Sequence, residues 1–253
     1  MTRFNLITDS RHIDVEALAT YFEPTCKARG IEYVLHDVAT TNLFAAPLFT
    51  KDDIVYRITT SARARAYEYA LSGPECTNLY EDWRMACSGR GASYFIHNKI
   101  GVPIIPTCAD LPMTDEEVDT CVEQLGGFPL IIKARGGSLG VGVMQIDTLQ
   151  SFRSVLDYLR SKNEKFFVRK FVPHTHYARA VVLGDKVIAS HVAYVVEGEF
   201  RTNAGDDTHQ QREIFKPDAA LEANIVKAVT SLGFEFGGVD VLFDLEGNPY
   251  VAE

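Results

Sequence analysis

Apolar and polar residues follow two different spacings over the first 80 residues of the chain. Strand-like runs occur three times, at Phe4–Thr8, Ile31–Leu35 and Asp53–Arg57. Helical spacing fills residues 14–29 and stops at Gly30, a residue type favoured just after helix C-termini. An alanine-rich helix is predicted for residues 61–71, with Ser61 as its N-cap. Because strands that alternate with helices form parallel sheets, residues 1–80 are predicted to form a small parallel α/β domain.

The pattern changes near residue 129, where strand-like runs follow one another in hairpin order. These runs cover residues 129–133, 141–146, 166–172, 178–183 and 186–196. Helices are predicted near residues 148–161 and 218–232, and Gly238–Phe243 with Tyr250–Glu253 forms a last hairpin. This order predicts an antiparallel α+β body after the α/β domain.

Three parts of the chain follow from these patterns. Residues 1–80 are the α/β domain. Residues 81–172 contain predicted linker helices around the extended segment Gly101–Pro106, followed by a small subdomain with a glycine-rich hairpin. Residues 173–253 are predicted to form a C-terminal subdomain that carries two buried carboxylates.

Composition narrows the class of protein. The 253 residues are 46% hydrophobic and 23% charged, as in a soluble globular protein, and no apolar run approaches the ~20 residues that span a bilayer. A net charge of −9 argues against a surface that coats nucleic acid. The five cysteines lack paired metal-type spacing, so reduced thiols in the cytoplasm are the expected state. We therefore expect neither a nucleic-acid nor a membrane partner.

The glycine-rich hairpin follows a strand that ends in Lys133. Four glycines lie within the next nine residues, at Gly136, Gly137, Gly140 and Gly142. Glycines let backbone N–H groups curl around anionic oxygens, and a lysine adds a compact positive charge. The spacing matches neither the common nucleotide-binding loop nor the dinucleotide fingerprint. Taken alone, such a loop is more often an ordinary hairpin than a phosphate site.

Charged residues in apolar surroundings strengthen the phosphate interpretation. Arg179 lies in a strand-like run, and Arg201 and Asn203 follow another strand with spacing that lets both side chains point the same way. Asp240 lies inside the run Gly238–Phe243, and Glu253 ends the neighbouring strand. Two buried carboxylates on adjacent strands repel each other unless a cation lies between them, and Mg²⁺ prefers such ligands. The structural alternative is that Asp240 only accepts a hydrogen bond from a nearby backbone N–H.

In this order, the motifs resemble those of the ATP-grasp superfamily, closest to the branch of ribosomal-protein glutamate ligases. The resemblance covers about residues 88–253. The matching segments are Gly101-Val-Pro103 with Thr107, Pro129–Lys133, Gly137–Val143, Gly198–Asn203 and Gly238–Leu242. The resemblance implies an ATP-grasp fold with α/β and α+β parts, preceded by a small pre-ATP-grasp domain at residues 1–80.

The resemblance also implies roles for individual residues. The lysine matched by Lys133 contacts the phosphates of ATP, and the loop that closes over them is matched by Gly136, Gly137, Ser138, Gly140 and Gly142. Arg201 and Asn203 would face the phosphates and the reacting carboxylate, and Arg179 would hold the substrate carboxylate or acyl phosphate. Asp240 and Glu253 would hold Mg²⁺.

The implied activity is that of an ATP-dependent carboxylate–amine ligase that forms an amide or peptide bond through an acyl phosphate. Its partners would be a small-molecule or peptide carboxylate and an amine acceptor. A homodimer is an assembly that the resemblance allows. Phosphotransfer to an acceptor other than a carboxylate is a third function open to the same scaffold.

Several positions depart from the family pattern. Arg90 stands where the family usually has a nucleotide-binding lysine, so it is assigned to cofactor binding with the charge kept; the alternative is that it is solvated at a helix end. Arg169 and Lys170 replace Gln-Glu before Phe171, so recognition of adenine would rest on backbone groups near Phe171 and Val172, or the base differs. Arg169 and Lys170 are expected to be surface charges or phosphate contacts rather than base-reading groups.

Further departures favour a different class of function. Tyr177 replaces a ribose-binding aspartate, and the family's ligand asparagine and Pro-Gly segment would follow Glu253, the last residue of the sequence. These departures favour a catalytically eroded protein that binds nucleotide or peptide. His174 and His176 are expected to be solvent-exposed, not metal ligands. Arg57 could bind a substrate carboxylate, or it could be a surface arginine that caps its own loop.

Overall fold

The computed structural model describes residues 1–42, 45–59, 61–73, 75–79, 90–108, 112–134, 140–195, 199–201 and 211–253, with backbone only at residues 90–92. The chain divides into two compact units. The first comprises Met1–Ala86 and Gly233–Gly237, and the second comprises Cys87–Leu232 and Gly238–Glu253. Within the described ranges, no helix is long and apolar enough to cross a membrane.

The first unit contains a four-stranded parallel sheet. Its elements are β1 (Arg3–Thr8), α1 (Val15–Ala28), β2 (Glu32–Asp37), β3 (Asp53–Arg57), α2 (Ala62–Leu71) and β4 (Thr77–Asn78). The strand order is β2-β1-β3-β4, and every pairing is parallel. The predicted N-cap of α2 is present, because the Ser61 side chain accepts a hydrogen bond from the Ala64 N–H. The predicted small parallel sheet is confirmed.

A chain of hydrogen bonds runs across the face of this sheet that lies against α2. Asp53 accepts from Arg3 Nε at 2.7 Å and from Asn5 Nδ2 at 2.8 Å. Asn5 Oδ1 lies 3.0 Å from His36 Nε2, and His36 Nδ1 lies 2.9 Å from the Tyr67 hydroxyl. Since Asn5 donates through its amide to a carboxylate, its oxygen must accept, so His36 carries its proton on Nε2 and Tyr67 donates to Nδ1. The pKa of His36 is lowered because the imidazole is buried.

The second unit contains two sheets. Its elements are α3 (Arg90–Lys99), β5 (Thr107–Cys108), α4 (Asp115–Gln124), β6 (Leu130–Ala134), β7 (Val143–Ile146), α5 (Leu149–Ser161), β8 (Phe166–Lys170), β9 (His174–Leu183), β10 (Lys186–Tyr194), β11 (Arg212–Ile214), α6 (Ala219–Thr230), β12 (Phe236–Asp244) and β13 (Pro249–Val251). The first two residues of β12, Phe236 and Gly237, belong to the first unit. Strands up to residue 170 form the sheet β5-β8-β6-β7, and strands from residue 174 form the sheet β11-β10-β9-β12-β13. The predicted boundary at residue 172 therefore falls between the two sheets.

Alternation along the strands decides which side chains leave the core of the four-stranded sheet. Leu130 and Ile132 of β6 belong to a buried cluster with α4 and α5, together with Phe166 and Val168 of β8. Their neighbours in sequence point to the opposite face. That face carries Lys133, and the register places Lys133 beside Phe167 and Ile131 beside Arg169.

The same alternation operates in the five-stranded sheet. Val239 and Val241 of β12 are buried apolar residues, whereas Asp240 between them points to the other face. Helix α6 lies against β9, β10 and β13. One face of this sheet is therefore a packing face, and the other carries the charged side chains of β9 and β12.

The structure adds elements that the sequence patterns did not predict. The strand predicted at 178–183 begins four residues earlier, at His174. Three short strands, Thr77–Asn78, Thr107–Cys108 and Arg212–Ile214, were also missed, since two or three residues show no periodicity. The predicted helical character of residues 81–89 lies outside the described residues.

Candidate active site

Lys133 and Glu253 meet although 120 positions separate them in the chain. Lys133 Nζ lies 2.6 Å from Glu253 Oε2, and the two side chains are 19% and 37% exposed. Lys133 extends from β6 of the four-stranded sheet, and Glu253 follows β13 of the five-stranded sheet. The predicted phosphate-binding lysine and a predicted metal ligand therefore lie in one region of the second unit.

Asp240 lies on the strand beside Glu253. The Asp240 N–H donates to the Glu253 carbonyl at 2.8 Å, and the Ala252 N–H donates to the Asp240 carbonyl at 2.8 Å. These bonds follow the antiparallel pairing of β12 with β13 but with a one-residue shift, so that Ala252 and Glu253 both lie opposite Asp240. The Asp240 side chain is 12% exposed. The structure thus brings together both carboxylates that the sequence assigned to metal.

Arg179 of β9 forms an ion pair with Asp240. Its Nη1 lies 2.8 Å from Asp240 Oδ1. Gly238 provides the space, because a Cβ at that position would lie 2.8 Å from Cζ and 2.9 Å from Nε of Arg179, and closer still to Nη2. In the sequence, Gly238 stands out only as part of a motif. Its structural reason is close approach of a guanidinium, since its φ lies outside the left-handed region.

The charges around Asp240 leave its carboxylate incompletely compensated. The pKa of Asp240 is raised, chiefly by burial and also by the negative charge of Glu253. Arg179 and Lys133 act in the opposite direction and lower it, but burial prevails. A buried carboxylate in this condition favours the approach of a further cation.

The donor set fits Mg²⁺ held jointly with a phosphate. Within the described ranges, no group of three or more His, Cys, Asp or Glu side chains could by itself hold a metal ion. Asp240 and Glu253 offer two carboxylates on neighbouring strands. Mg²⁺ is commonly bound by one or two carboxylates, with water and substrate phosphates as the other ligands.

Arg201 is described, but its predicted companion Asn203 lies outside the described residues. Arg201 binds Glu199 through two parallel hydrogen bonds, Nε to Oε1 at 2.9 Å and Nη2 to Oε2 at 2.7 Å. This pair lowers the pKa of Glu199 to about 2. The predicted role of Arg201 at the phosphates stays a prediction.

The glycine-rich loop is described only in part. Gly136, Gly137 and Ser138 lie outside the described residues. Gly140 and Gly142 have φ values of 76° and 82°, a conformation that disfavours other residues. The Gly142 carbonyl accepts a hydrogen bond from the Ala134 N–H at 2.9 Å, which closes the hairpin directly after Lys133.

Arg169 is not a surface charge, so that alternative is wrong, and the other alternative, a phosphate contact, stays a prediction. Arg169 is 5% exposed as a whole residue, and its guanidinium lies 4.3 Å from the centre of the Tyr94 ring and 4.7 Å from the centre of the Phe167 ring. Nη1 donates to the Ala252 carbonyl at 2.9 Å. The sequence offered one indication, since Phe167, two residues earlier on the same face of β8, is an aromatic residue.

The backbone near the predicted base site is already hydrogen-bonded. Lys170 is exposed, and its N–H donates to the Pro106 carbonyl at 2.9 Å. The Phe171 N–H approaches the Pro129 carbonyl at 3.4 Å. The carbonyl of Val172 lies 2.7 Å from His174 Nδ1. Contacts of Lys170, Phe171 and Val172 with a nucleotide stay predictions.

The remaining predicted residues serve other purposes or stay untested. Arg90 begins α3, and its side chain lies outside the described part of the chain. His174 and His176 are partly buried rather than solvent-exposed, and the His176 ring stacks on Phe243 with centroids 5.0 Å apart. Neither histidine belongs to a metal-ligating group among the residues that the structure describes.

Arg57 is buried in the first unit, so its expected place at the surface is wrong, whereas the expected cap of its own loop is present. Arg57 is 1% exposed, and its Nε donates a hydrogen bond to Glu68 Oε2 at 2.6 Å. Nη1 donates to the Thr59 carbonyl. The carboxylate that Arg57 meets in the structure is therefore that of α2.

Comparison with known proteins agrees with this geometry. Residues 92–253 match the RimK-like ATP-grasp domain family. A probable alpha-L-glutamate ligase of Sodalis glossinidius is 34% identical over 151 residues, covering 57% of this chain and 50% of that protein. A ribosomal protein bS6–L-glutamate ligase of Escherichia coli is 29% identical over 148 residues, covering 53% of this chain and 46% of that protein. The chain spans about half the length of these curated relatives.

A solved structure extends the likeness to the whole chain. The ATP-grasp ligase PsnB, complexed with a minimal precursor, superposes with a TM-score of 0.69 and 15% identity, covering 100% of this chain and 90% of that one. At this identity the likeness concerns the fold alone. The predicted ATP-grasp fold, with α/β and α+β parts, is confirmed.

Proposed function

The chain belongs to the RimK-like ATP-grasp family, and we propose that it is an ATP-dependent carboxylate–amine ligase that forms an amide or peptide bond. The observation that carries this proposal is the convergence of Lys133 and Arg179 with Asp240 and Glu253. This set combines cations suited to phosphates with carboxylates suited to Mg²⁺. A binding protein without catalysis would make less use of that combination.

The proposed reaction has two steps. A substrate carboxylate takes the terminal phosphoryl group of ATP and becomes an acyl phosphate, and an amine then displaces phosphate. Lys133 would bind the transferred phosphates, and Arg179 would hold the substrate carboxylate or acyl phosphate. Mg²⁺ held by Asp240 and Glu253 would supply charge neutralisation at the phosphates. Positioning and charge stabilisation, rather than covalent chemistry by the protein, carry such a transfer.

The substrate class is suggested by the relatives. The names of the curated relatives include glutamate and a ribosomal protein, and PsnB was solved with a minimal precursor. We therefore propose a peptide or protein carboxylate as the first substrate and an amino acid as the amine. The described cysteines form no disulfide bond, which supports the proposed cytoplasmic location.

The alternative is a catalytically eroded protein that binds nucleotide or peptide without ligation. Lys170 and Tyr177 favour this alternative, because neither offers the carboxylate that the family uses there for base or ribose. The intact group of Lys133, Asp240 and Glu253 favours the ligase.

The test is ATP-dependent phosphate release with mixtures of amino acids and peptides, with mass spectrometry of the products. A ligase requires both a carboxylate and an amine, whereas phosphotransfer to another acceptor requires no amine. Lys133→Met and Asp240→Asn should each lower the rate by about 10²–10³-fold, because each removes a charge aimed at the transferred group. Near-normal turnover in both variants would refute the assignments. Nucleotide binding without any product would support the eroded alternative.

A further inference from the structure

Arg169 is a buried charge in the middle of the second unit. It lies in β8, where the adjacent Val168 packs into the apolar cluster and Arg169 points to the opposite face. Taking a guanidinium out of water is costly unless its charge and donors meet partners. A residue placed there needs a specific reason.

The partners of Arg169 identify that reason. Nη1 donates to the carbonyl of Ala252 at 2.9 Å, and the Tyr94 hydroxyl approaches the same carbonyl at 3.4 Å. Ala252 immediately precedes Glu253, and its own N–H donates to the carbonyl of Asp240. Arg169 therefore joins the sheet that carries Lys133 to the strand pair that carries both predicted metal ligands.

Two aromatic rings restrict the guanidinium. Its Cζ lies 4.3 Å from the Tyr94 ring centre and 4.7 Å from the Phe167 ring centre, distances at which cation–π attraction offsets part of the lost hydration. Phe167 is also the register partner of Lys133 on β6. The position of Arg169 is thus fixed relative to Lys133 through one adjacent strand pair.

We propose that Arg169 is a positioning residue that fixes Glu253 opposite Lys133, so that metal and phosphate are bound together. The inference rests on the proposed function, because it takes Glu253 as a metal ligand and Lys133 as a phosphate ligand. Arg169 acts through the backbone carbonyl of Ala252 rather than by touching the nucleotide. Groups that orient metal ligands commonly contribute about 10–100-fold to metal affinity.

A purely structural role would give a different result. If Arg169 only stabilised the junction of the two sheets, its loss would lower the melting temperature without changing metal affinity in the folded protein. If Arg169 bound phosphate directly, its loss would weaken nucleotide binding whether or not metal was present. If Arg169 is a positioning residue, its loss lowers the affinity for the metal ion and leaves nucleotide binding without metal unchanged.

The test uses the full chain and a non-hydrolysable ATP analogue. Mn²⁺ binding is followed by electron paramagnetic resonance with the analogue present, and analogue binding is measured by calorimetry in EDTA. The variants are Arg169→Met, which keeps the apolar stem, and Arg169→Lys, which keeps the charge. Arg160→Met is the matched control, because Arg160 also donates to a backbone carbonyl, that of Pro112, and is remote in sequence from the predicted ligands.

We expect Arg169→Met to weaken Mn²⁺ binding at least tenfold and analogue binding in EDTA by less than twofold. The Mn²⁺ affinity of Arg169→Lys should lie between those of wild type and Arg169→Met. If the methionine variant does not fold, the lysine variant alone tests the proposal. Arg160→Met should change both affinities by less than twofold.

Unchanged Mn²⁺ affinity in a folded Arg169 variant overturns the positioning role, even if the melting temperature falls. Equal losses with and without metal overturn it as well. If the wild-type protein itself binds no Mn²⁺ with the analogue, the proposed function fails, which is a separate result.

Discussion

Replacing Gly238 by alanine should separate the Arg179 guanidinium from Asp240 without removing either side chain. The added Cβ would lie 2.8 Å from Arg179 Cζ and 2.9 Å from Nε, whereas ordinary contacts of this kind begin near 3.4 Å. The guanidinium must therefore retreat by at least about 0.6 Å, the difference between 3.4 and 2.8 Å. Arg179 is the group that moves, because its side chain is 44% exposed, whereas the backbone of β12 is held by its hydrogen bonds to β13.

The magnitude follows from the bond that is lost. Arg179 Nη1 donates to Asp240 Oδ1 at 2.8 Å, and hydrogen bonds to charged groups contribute about 1.5–3 kcal/mol. Because Arg179 is partly exposed, solvent screening places the loss at the low end, about 1–2 kcal/mol. At about 1.4 kcal/mol per factor of ten, ligation should slow by roughly 5–30-fold if Arg179 orients the reacting carboxylate.

The assay is a double-mutant cycle read by kcat/KM for ligation and by thermal unfolding. Gly238→Ala should lower kcat/KM in the wild-type background and have little further effect in Arg179→Met, because the group that the Cβ displaces is then gone. Gly73→Ala is the control, since a Cβ there would meet only the Phe49 carbonyl, at 3.7 Å. An equal loss in both backgrounds, or none in the wild type, would show that Gly238 does not act through Arg179.

Two further predictions concern charge. The Lys133→Met variant should bind free Mn²⁺ several-fold more tightly than wild type, because Lys133 Nζ lies 2.6 Å from Glu253 Oε2 and competes with a metal ion for that carboxylate. The same variant should bind the ATP analogue at least tenfold more weakly. Calorimetric titrations with each ligand alone would measure both affinities, and weaker Mn²⁺ binding would contradict the competition between Lys133 and the metal ion. In the first unit, burial lowers the pKa of His36. As the pH falls below about 6.5, His36 therefore takes up a proton in the unfolded chain but not in the folded chain, and the free energy of unfolding decreases. Urea unfolding at pH 7.5 and 5.5 should show a smaller difference for His36→Gln than for wild type, and an equal difference would exclude a contribution from His36.

The parallel sheet of the first unit was predictable because its signals are local. Apart from the two-residue strand β4, each strand and helix was long enough to show its own periodicity, and Ser61 marked a helix start. In the second unit the sequence predicted Asp240 as a buried carboxylate inside the run Gly238–Phe243, and the structure shows that it faces away from Val239 and Val241. The sequence pattern could not predict which two faces meet. The pairing of Lys133 with Glu253 depends on the arrangement of two sheets, and the sequence suggested it only through the order of family motifs.

Arg169 shows why the remainder could not be predicted. Its charge suggested a surface or a phosphate, because a buried arginine is costly without partners. The partners that make burial acceptable are Tyr94 and the Ala252 carbonyl, 75 and 83 positions away in the chain. Phe167, two residues earlier on the same face of β8, was the one local sign that this face is covered, but no local pattern could supply those contacts.

The paired charges of the second unit imply that metal and nucleotide bind as a coupled pair. The sequence assigned cations to phosphates and carboxylates to Mg²⁺, yet in the structure Lys133 binds Glu253 and Arg179 binds Asp240. A metal ion alone would have to displace Lys133 from Glu253, whereas Arg179 donates to one oxygen of Asp240, Oδ1, and a nucleotide alone would leave two carboxylates beside its phosphates. When both bind, Lys133 exchanges a carboxylate for a phosphate, and Glu253 exchanges an ammonium group for the metal ion. Linkage then requires that each ligand raise the affinity of the other by the same factor, and Lys133→Met should reduce that factor because it removes one of the exchanging partners.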